Sequence, residues 1–260
     1  MKDKNISKIL REIEVGYDQM ADKFSGTRSF FWPDLEFIKD HISDGDRVLD
    51  FGCGNGRLLE ILKDKKTEYY GADVSQKLLD LAKEKYPQFR HNFVKISGQS
   101  SLPVESMDCS DSTKQGYANK DNSQYRGQGL SFPDNFFNAI VSIAVFHHFP
   151  DEKFRLEMAK ELYRITKPGG EIIVTVWNLW QPKYRKYIWK NIGKKIIGRS
   201  DLDFLDCAIP FKNNAGESFA RFHHAYTVKK LAKLFVDAGF SVSEARVVNN
   251  KNLVVIAKKI

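Results

Sequence analysis

The stretch Val48–Gly56, with the sequence VLDFGCGNG, decides the fold of this 260-residue chain. Its apolar half contains the acid Asp50, three alternating glycines follow, and Arg57–Leu62 then has the composition of a helix. This order predicts a β-strand, a tight loop and the start of a helix. Glycines let a ligand approach the backbone closely, and a helix N-terminus favours negative charge or acceptor groups. The stretch therefore indicates a loop that holds a nucleotide-like ligand.

A second acid supports a nucleoside at this loop. The predicted strand Glu68–Asp73 ends in Asp73, which lies 23 residues after Asp50 and is placed to accept hydrogen bonds from two ribose hydroxyls. A dinucleotide fold expects the spacing G-x-G-x-x-G, whereas this loop has G-x-G-x-G. Asp73 alone suits NAD and other nucleoside cofactors equally well.

Length and composition limit the class of protein. A chain of 260 residues with 42% hydrophobic content is expected to form one domain with elaborations. It has no run of about 20 apolar residues, and its charged N-terminus lacks a secretory signal pattern, so no membrane association is expected. The three cysteines, Cys53, Cys109 and Cys207, are widely spaced, which indicates a reducing cytoplasm and offers no zinc-ribbon pattern.

The positive charge is concentrated in one segment. The formal net charge is +8, and Lys183–Arg199 contains seven basic residues and no acid, with aromatic residues interleaved. Such a segment can neutralise phosphates and stack on unpaired bases, which indicates a polyanionic partner. It is equally typical of an amphipathic helix with a core-facing apolar side, formed by Tyr184, Ile188, Ile192 and Ile196. One helix can serve both purposes.

Strand and helix patterns alternate along the chain, which predicts a mostly parallel sheet. An N-terminal helical region covers roughly Ile6–Ile42, and a helix stop followed by a tight turn is predicted at Lys167–Gly170. The predicted strands are Arg47–Phe51, Glu68–Asp73, Asn92–Ile96, Ala139–Val145, Glu171–Trp177, Val242–Val247 and Asn252–Ala257. The other predicted helices are Gln76–Tyr86, Glu152–Thr166 and a last one that Thr227 caps and Gly239 ends.

One polar stretch, Ser97–Gly129, interrupts this alternation and has almost no hydrophobic periodicity. We expect a surface insertion there. The segment Gly98–Pro103 is echoed by Gly127–Pro133, and the second copy leads into the next predicted strand. The second copy is therefore expected to belong to the fold, and the material before it to be inserted.

Several of these segments resemble the class I S-adenosylmethionine (SAM)-dependent methyltransferases. They are Asp50–Gly56, Gly71–Asp73, Phe132–Ile140 and Lys167–Gly170. The resemblance implies an α/β fold with a Rossmann-like, seven-stranded, mostly parallel sheet and helices on both faces, and SAM as the cofactor. The cofactor-binding residues that it implies are Asp50, Gly52, Cys53, Gly54, Gly56, Asp73, Gln128 and Ala144. Gln128 departs from the family pattern, which has an acid there.

Three further segments resemble the tRNA wobble-uridine carboxymethyl methyltransferases. They are Tyr17–Ala21 with Phe24–Arg28 and Trp32-Pro33, then Ser142–Phe149, and finally Arg221–Tyr226. This family esterifies a carboxymethyl group on an anticodon uridine, so the resemblance implies tRNA as a partner and leaves open a small activator subunit. The catalytic candidates are Arg28, His147, Arg221 and His224. The substrate-binding candidates are Tyr17, His148 and Tyr226, together with Lys183, Arg185 and Lys186 of the basic segment.

Two other functions stay open on the sequence. One is a small-molecule methyltransferase of the same fold, and the other is a non-catalytic RNA-binding module. The clustered histidines have no carboxylate or cysteine at metal-binding spacing, so no metal is expected. The expected organisation is a single domain with an N-terminal helical lid (1–44), a SAM-binding core (45–177), a substrate-binding elaboration (178–226) and a last helix and strands (227–260).

Overall fold

The structure is a computed structural model that describes residues 3–27, 30–96, 130–212, 216 and 218–260. Its strands are β1 (Arg47–Phe51), β2 (Glu68–Asp73), β3 (Phe93–Lys95), β4 (Phe137–Ile143), β5 (Thr166–Trp177), β6 (Asp206–Lys212), β7 (Ser218–His224), β8 (Ser241–Val248) and β9 (Asn252–Lys258). Its α-helices are α1 (Asp3–Gln19), α2 (Ala21–Gly26), α3 (Leu59–Leu62), α4 (Gln76–Lys85), α5 (Glu152–Ile165), α6 (Pro182–Ile196) and α7 (Val228–Asp237). Short 3₁₀ helices cover Pro33–His41, Pro87–Asn92 and Phe146–His148.

A seven-stranded sheet in the order β3-β2-β1-β4-β5-β9-β8 forms the centre of the fold. The first five strands in this order are parallel, and β9 runs antiparallel to both of its neighbours. The order reverses between β1 and β4, which creates a crevice at their carboxyl ends. The predicted α/β fold with a Rossmann-like, mostly parallel sheet is confirmed.

Both faces of the sheet are buried, which explains the nearly continuous apolar runs in its central strands. One core cluster joins the sheet to α5 and α7 through residues such as Phe137, Leu162 and Phe235. The other joins it to α4 and the Pro33–His41 helix through Leu79 and Leu35. The two cores fix the strand ends from both sides, so the loops above them have a rigid base.

Two of the element boundaries that differ from the sequence predictions have a clear cause in the backbone. The helix expected over Arg57–Leu62 begins only at Leu59, because the positive φ of Gly56 (75°) turns the chain and tight i to i−3 hydrogen bonds follow. The tight turn at Lys167–Gly170 lies inside β5 as a bulge. Pairing jumps from Phe137–Thr166 to Ala139–Glu171 across it.

A smaller layer covers the carboxyl ends of the strands. Strands β6 and β7 form a separate antiparallel hairpin, and α6 packs on it through the buried residues Ile188, Cys207 and Ile209. Helix α1 packs on the other side of the hairpin, where Ile13 contacts Phe222. The sequence prediction that Ile196 faces this core is wrong, since Ile196 lies at the end of α6 with 72% of its surface exposed.

Several predicted features lie outside the described residues. They are Arg28, Gln128 and the insertion at 97–129. Among the described residues, no helix is long and apolar enough to cross a membrane.

Two glycine substitutions test how tightly the sheet is packed. A Cβ at Gly71 in β2 would lie 2.7 Å from Phe93 Cδ1 and 3.0 Å from Cys53 Sγ. Because this overpacks the core, Gly71→Ala should lower the free energy of unfolding by about 1–3 kcal/mol. A Cβ at Gly193 in α6 meets nothing within 4 Å, so Gly193→Ala should raise the free energy of unfolding by about 0.5–1 kcal/mol through helix propensity. Denaturant unfolding of both variants measures the difference, and equal effects would contradict the close packing around Gly71.

Candidate active site

A cavity opens at the carboxyl ends of β1, β2 and β4, where the strand order reverses. Three chain segments that follow these strands line it: the glycine loop after β1, Asp73-Val74 after β2 and Ala144–Phe149 after β4. The remaining wall residues are mostly apolar and aromatic, and they include Leu10, Ile13, Tyr17, Phe24 and Trp32 from the N-terminal region and Trp177 from the end of β5.

The glycine loop has a backbone conformation that only glycine adopts easily. Gly52 has a φ of 79°, and a Cβ there would lie 2.2 Å from Val145 Cγ2. The amides of Gly52 and Cys53 both donate to the Ala72 carbonyl, at 2.7 and 3.1 Å, which ties the loop to β2. Gly52 and Gly54 line the cavity, as the sequence predicts for a ligand-binding loop.

Asp73 joins this loop to the next element. Its two carboxylate oxygens accept the backbone N–H groups of Gly54 and Ser75, both at 2.8 Å, and Ser75 then caps α4. Burial raises the pKa of Asp73, although these backbone hydrogen bonds oppose the shift. Each oxygen retains acceptor capacity, and the residue lines the cavity, so it can accept hydrogen bonds from ligand hydroxyls.

Asp50 lies behind the loop rather than in the cavity wall. It is 3% exposed and accepts a hydrogen bond of 2.9 Å from the Tyr69 hydroxyl. Burial raises the pKa of Asp50 to about 7, while the Tyr69 hydroxyl and the charge of Arg57 oppose the shift. The carboxyl therefore changes charge near neutral pH beside the ligand loop.

The other predicted cofactor residues divide into two groups. Ala144 lines the cavity in a left-handed conformation, with a φ of 62°, and its amide donates to the Thr175 carbonyl. Cys53 and Gly56 lie outside the cavity lining and serve packing. Cys53 is buried beside Gly71, and Gly56 lies against the rings of Tyr86 and Phe93.

Histidines and an arginine gather at one side of the cavity. His147 and His148 line it on the 3₁₀ helix after β4, and Tyr17 reaches it from α1. Arg221 of β7 is 3% exposed and lies behind this wall rather than among the lining residues. Its guanidinium carbon is 5.5 Å from the centre of the Tyr17 ring and 5.6 Å from that of Trp177, and both rings line the cavity. In the described part of the chain, its Nε has no hydrogen-bond partner.

Three of the histidines, His147, His148 and His223, place one ring nitrogen each within 4.8 Å of the others. The sequence predicted no metal, and the hydrogen bonds give the three rings different roles. His148 and His223 each donate from Nδ1 to a backbone carbonyl and keep a lone pair on Nε2. The Trp177 amide donates to His147 Nδ1, so the neutral ring carries its proton on Nε2 and has no free lone pair for a metal. Burial lowers the pKa of all three rings, and the nearby Arg221 charge lowers them further.

The structure does not bring the remaining candidates to the cavity. His224, predicted to be catalytic, donates from Nδ1 to the buried carboxylate of Asp206 at 2.7 Å, because side chains alternate along β7 and His224 points away from the Arg221 face. Tyr226 is buried against His224 and lies outside the lining. The exposed side chains of α6 also lie outside it, namely Lys183, Arg185 and Lys186.

Sequence reasoning missed three contributors to this site. Arg57 lines the cavity and stacks on Trp32 at 3.8 Å, so its cation favours an anionic ligand group. Trp177 stacks on His223 and packs at a tilt against His147, and these two rings hold it at the end of β5. His223 had a readable signal, since a residue two positions after Arg221 on a strand shares its face.

The raised pKa of Asp50 makes a prediction about stability. The folded carboxyl keeps its proton up to a pH of about 7, whereas the unfolded one loses it near 3.8, so stability falls as pH rises through this window. We expect the wild type to lose up to about 1.4 kcal/mol per pH unit relative to Asp50→Asn between these pH values. Denaturant unfolding without ligand from pH 5 to pH 8 measures this difference.

The exposed Asp237 supplies the matched control for that experiment. Asp237→Asn should follow the pH dependence of the wild type. A constant stability difference between Asp50→Asn and the wild type over the whole range would contradict the buried, protonated carboxyl.

Comparison with known proteins identifies the family. Residues 20–245 match the family model described as a methyltransferase domain. The mouse tRNA (carboxymethyluridine(34)-5-O)-methyltransferase ALKBH8 is 33% identical over 199 residues, which cover 76% of this chain and 24% of that protein. The tRNA (carboxymethyluridine(34)-5-O)-methyltransferase of Arabidopsis thaliana is 28% identical over 187 residues, with 68% and 38% covered. The chain thus spans well under half the length of these relatives.

Solved structures share the fold. A SAM-dependent methyltransferase from Methanosarcina mazei superposes with a TM-score of 0.60 at 23% identity, covering 89% of this chain and 99% of that one. A Haloferax volcanii methyltransferase, solved in complex with the Trm112 methyltransferase activator, has a TM-score of 0.59 at 16% identity, with 95% and 96% covered. At these identities the likeness is one of fold.

The cavity suits SAM on its own geometry. At Gly52 the glycine loop lies so close to Val145 that there is no room for a Cβ. The Asp73 carboxylate retains lone pairs that can accept hydrogen bonds from ribose hydroxyls. The apolar side chains of Val74, Leu78 and Ile96 form a slot next to Asp73 that can take an adenine ring. Together with the family match over residues 20–245, this fit leads to one conclusion: the chain belongs to the methyltransferase domain family and is a SAM-dependent methyltransferase.

Proposed function

We propose that this enzyme esterifies the carboxymethyl group of a modified uridine at the wobble position of tRNA. Two relatives that carry this activity in their names match 76% and 68% of the chain. The single observation that carries the proposal is a buried cation, Arg221, beside a cavity wall with the hydrogen-bond donor His147. A donor-rich wall of this kind suits an anionic acceptor.

A carboxylate acceptor needs no strong base. Its pKa is about 4, so it is already ionised at neutral pH and can attack directly. When bound, SAM supplies a methyl group on a positively charged sulfur, which one carboxylate oxygen takes in a single displacement that releases neutral S-adenosylhomocysteine. No proton moves in this step, and the enzyme has to orient the carboxylate and exclude water.

The residues around the cavity provide these two requirements. The unpartnered Nε of Arg221 and the Nε2–H of His147 are both buried donors, and a carboxylate can accept from both. Because burial holds the His147 pKa well below its usual range, this ring stays neutral and keeps its donor in place. We assign acceptor binding to these two residues, with Arg28 kept as a third candidate from the sequence.

Helix α6 supplies a surface that suits the RNA. Lys183, Arg185 and Lys186 are exposed on it, and the Trp189 side chain beside them is 60% exposed. Single-stranded RNA is usually bound by basic side chains that contact its phosphates and by aromatic rings that stack on its bases. Tyr184 of this helix stacks on Trp177 of the cavity wall with ring centres 5.7 Å apart, which connects α6 to the cavity.

A small activator subunit belongs to the proposal as an additional partner. Its support is the likeness in fold to the Haloferax volcanii methyltransferase that binds Trm112. Activity assays therefore include one arm with the enzyme alone and one arm with a purified Trm112 protein.

The first test is direct. The enzyme is incubated with isotope-labelled SAM and tRNA that carries 5-carboxymethyluridine, and the nucleosides are analysed by mass spectrometry. Label in the methyl ester supports the proposal. Label absent from tRNA in both the enzyme-alone and the activator arms, with label found instead in a small-molecule extract, would replace it by a small-molecule methyltransferase.

Arg221 gives a sharper prediction. Arg221→Ala should lower kcat/KM for the tRNA about 100-fold or more, because a buried charge-assisted hydrogen bond is worth about 1.5–3 kcal/mol and orientation is lost as well. Arg221→Lys should recover part of this loss. Calorimetry should give a similar SAM affinity for the wild type and both variants, and an equal loss of SAM affinity would contradict the acceptor role.

The α6 surface gives a second prediction. The triple variant Lys183→Glu, Arg185→Glu, Lys186→Glu should weaken tRNA binding and reduce the slope of log K against log salt by about 2–3, since each lost phosphate contact removes about one unit. The control reverses the same number of charges on α7, at Lys229, Lys230 and Lys233. Equal weakening by both variants would indicate a general charge effect and would contradict an α6 contact.

A further inference from the structure

One hydroxyl connects three distant parts of the chain next to the cavity. Tyr17 in α1 lies 2.8 Å from His148 Nε2 and accepts a hydrogen bond of 3.1 Å from Arg221 Nη1. These partners are 131 and 204 residues away in sequence, on the 3₁₀ helix after β4 and on strand β7. The network therefore joins the N-terminal region, the strand ends and the hairpin at a single atom.

The direction of each hydrogen bond in this network is fixed by the backbone. The Phe222 carbonyl lies 2.9 Å from His148 Nδ1 and can only accept, so His148 carries its proton on Nδ1. His148 Nε2 then has a lone pair, and the Tyr17 hydroxyl donates to it. With its proton committed to His148, the Tyr17 oxygen presents its own lone pairs to Arg221.

Burial keeps the network in this one state. His148 is 6% exposed, and burial together with the Arg221 charge lowers its pKa to about 3, so the ring stays neutral at any working pH. A charged His148 would carry a proton on Nε2 and would repel Arg221. The groups that face His148 from the packed elements, His147, His223 and Tyr17, do not supply a carboxylate that would reverse this effect.

Arg221 depends on this hydroxyl for its orientation. Its guanidinium lies between aromatic rings, with the Phe211 centre at 4.5 Å, and ring faces attract a cation without setting the directions of its N–H groups. The hydrogen bond to Tyr17 fixes Nη1, and this leaves the buried, unpartnered Nε in one direction.

We propose that Tyr17 and His148 are positioning residues that orient Arg221 for the acceptor, so that docking of α1 completes the acceptor site. This assignment rests on the proposed function only in that Arg221 holds an anionic acceptor. It differs from the sequence prediction, in which Tyr17 and His148 contact the substrate themselves.

Tyr17→Phe removes the hydroxyl and keeps the ring. We expect kcat/KM for the tRNA to fall about 10- to 100-fold, mostly in kcat, as for the loss of a buried hydrogen bond to a charged group. The matched control is Tyr163→Phe on α5, where the ring packs against Phe240 and is not part of this network. The control should keep wild-type activity.

A double-mutant cycle separates positioning from direct contact. If Tyr17 acts through Arg221, Tyr17→Phe should change kcat/KM by less than about 2-fold in the Arg221→Ala background. If it contacts the acceptor independently, the two losses multiply, and this outcome would overturn the proposal. His148→Gln can still accept from Tyr17 and should retain more activity than His148→Phe, whereas equal loss in both would also overturn it.

A spectroscopic measurement makes the result independent of the substrate. Nitrogen-15 spectra of the histidine rings should show neutral His148 with its proton on Nδ1 from pH 5 to pH 8, and Tyr17→Phe should shift its Nε2 signal. A proton on Nε2, or an unchanged signal, would overturn the network. Failure of the wild type to esterify tRNA would instead count against the proposed function alone.

Discussion

The hydrogen bonds that the Asp73 carboxylate accepts from Gly54 and Ser75 hold the ligand-binding end of this fold together. They connect the glycine loop after β1 to the start of α4, and the carboxylate itself lies at the end of β2. Because parallel strands end at one edge of the sheet, a single side chain can join three elements there. The loop is therefore held in place by hydrogen bonds within the chain itself.

This arrangement has an electrostatic cost that the structure tolerates. Burial raises the pKa of both Asp50 and Asp73, and the charge of Asp73 raises the pKa of Asp50 further. Tyr69 and the backbone amides compensate in part. Binding sites commonly retain such unfavourable terms, since a polar ligand can relieve them. The burial of Asp73, which lines the cavity, is therefore better explained by ligand binding than by stability.

The sequence was informative where a residue's role is local. The strand and glycine loop at Val48–Gly56, the position of Asp73 at the end of its strand and the helix cap Thr227 all depend on neighbours within a few positions, and the structure has them as expected. The bulge in β5 and the late start of α3 depend on backbone geometry at single glycines, which composition does not encode. The contact of His224 with Asp206 could not be predicted, because Asp206 lies on another strand and no local pattern indicates that pairing. The sequence alone does not show which histidine shares a face with Arg221, because this requires knowing that Arg221–His224 lies in a strand.

The tautomers of the rings in this histidine-rich wall follow from their backbone contacts. Each ring in the cluster has one nitrogen committed to a backbone group: His147 to the Trp177 amide, His148 to the Phe222 carbonyl and His223 to the Arg221 carbonyl. The backbone therefore chooses the tautomer of every ring, and burial beside Arg221 keeps all three neutral. A neutral ring with a fixed proton is a poor switch and a reliable donor or acceptor. That combination suits a reaction whose nucleophile is already ionised, because such a reaction requires orientation more than proton transfer.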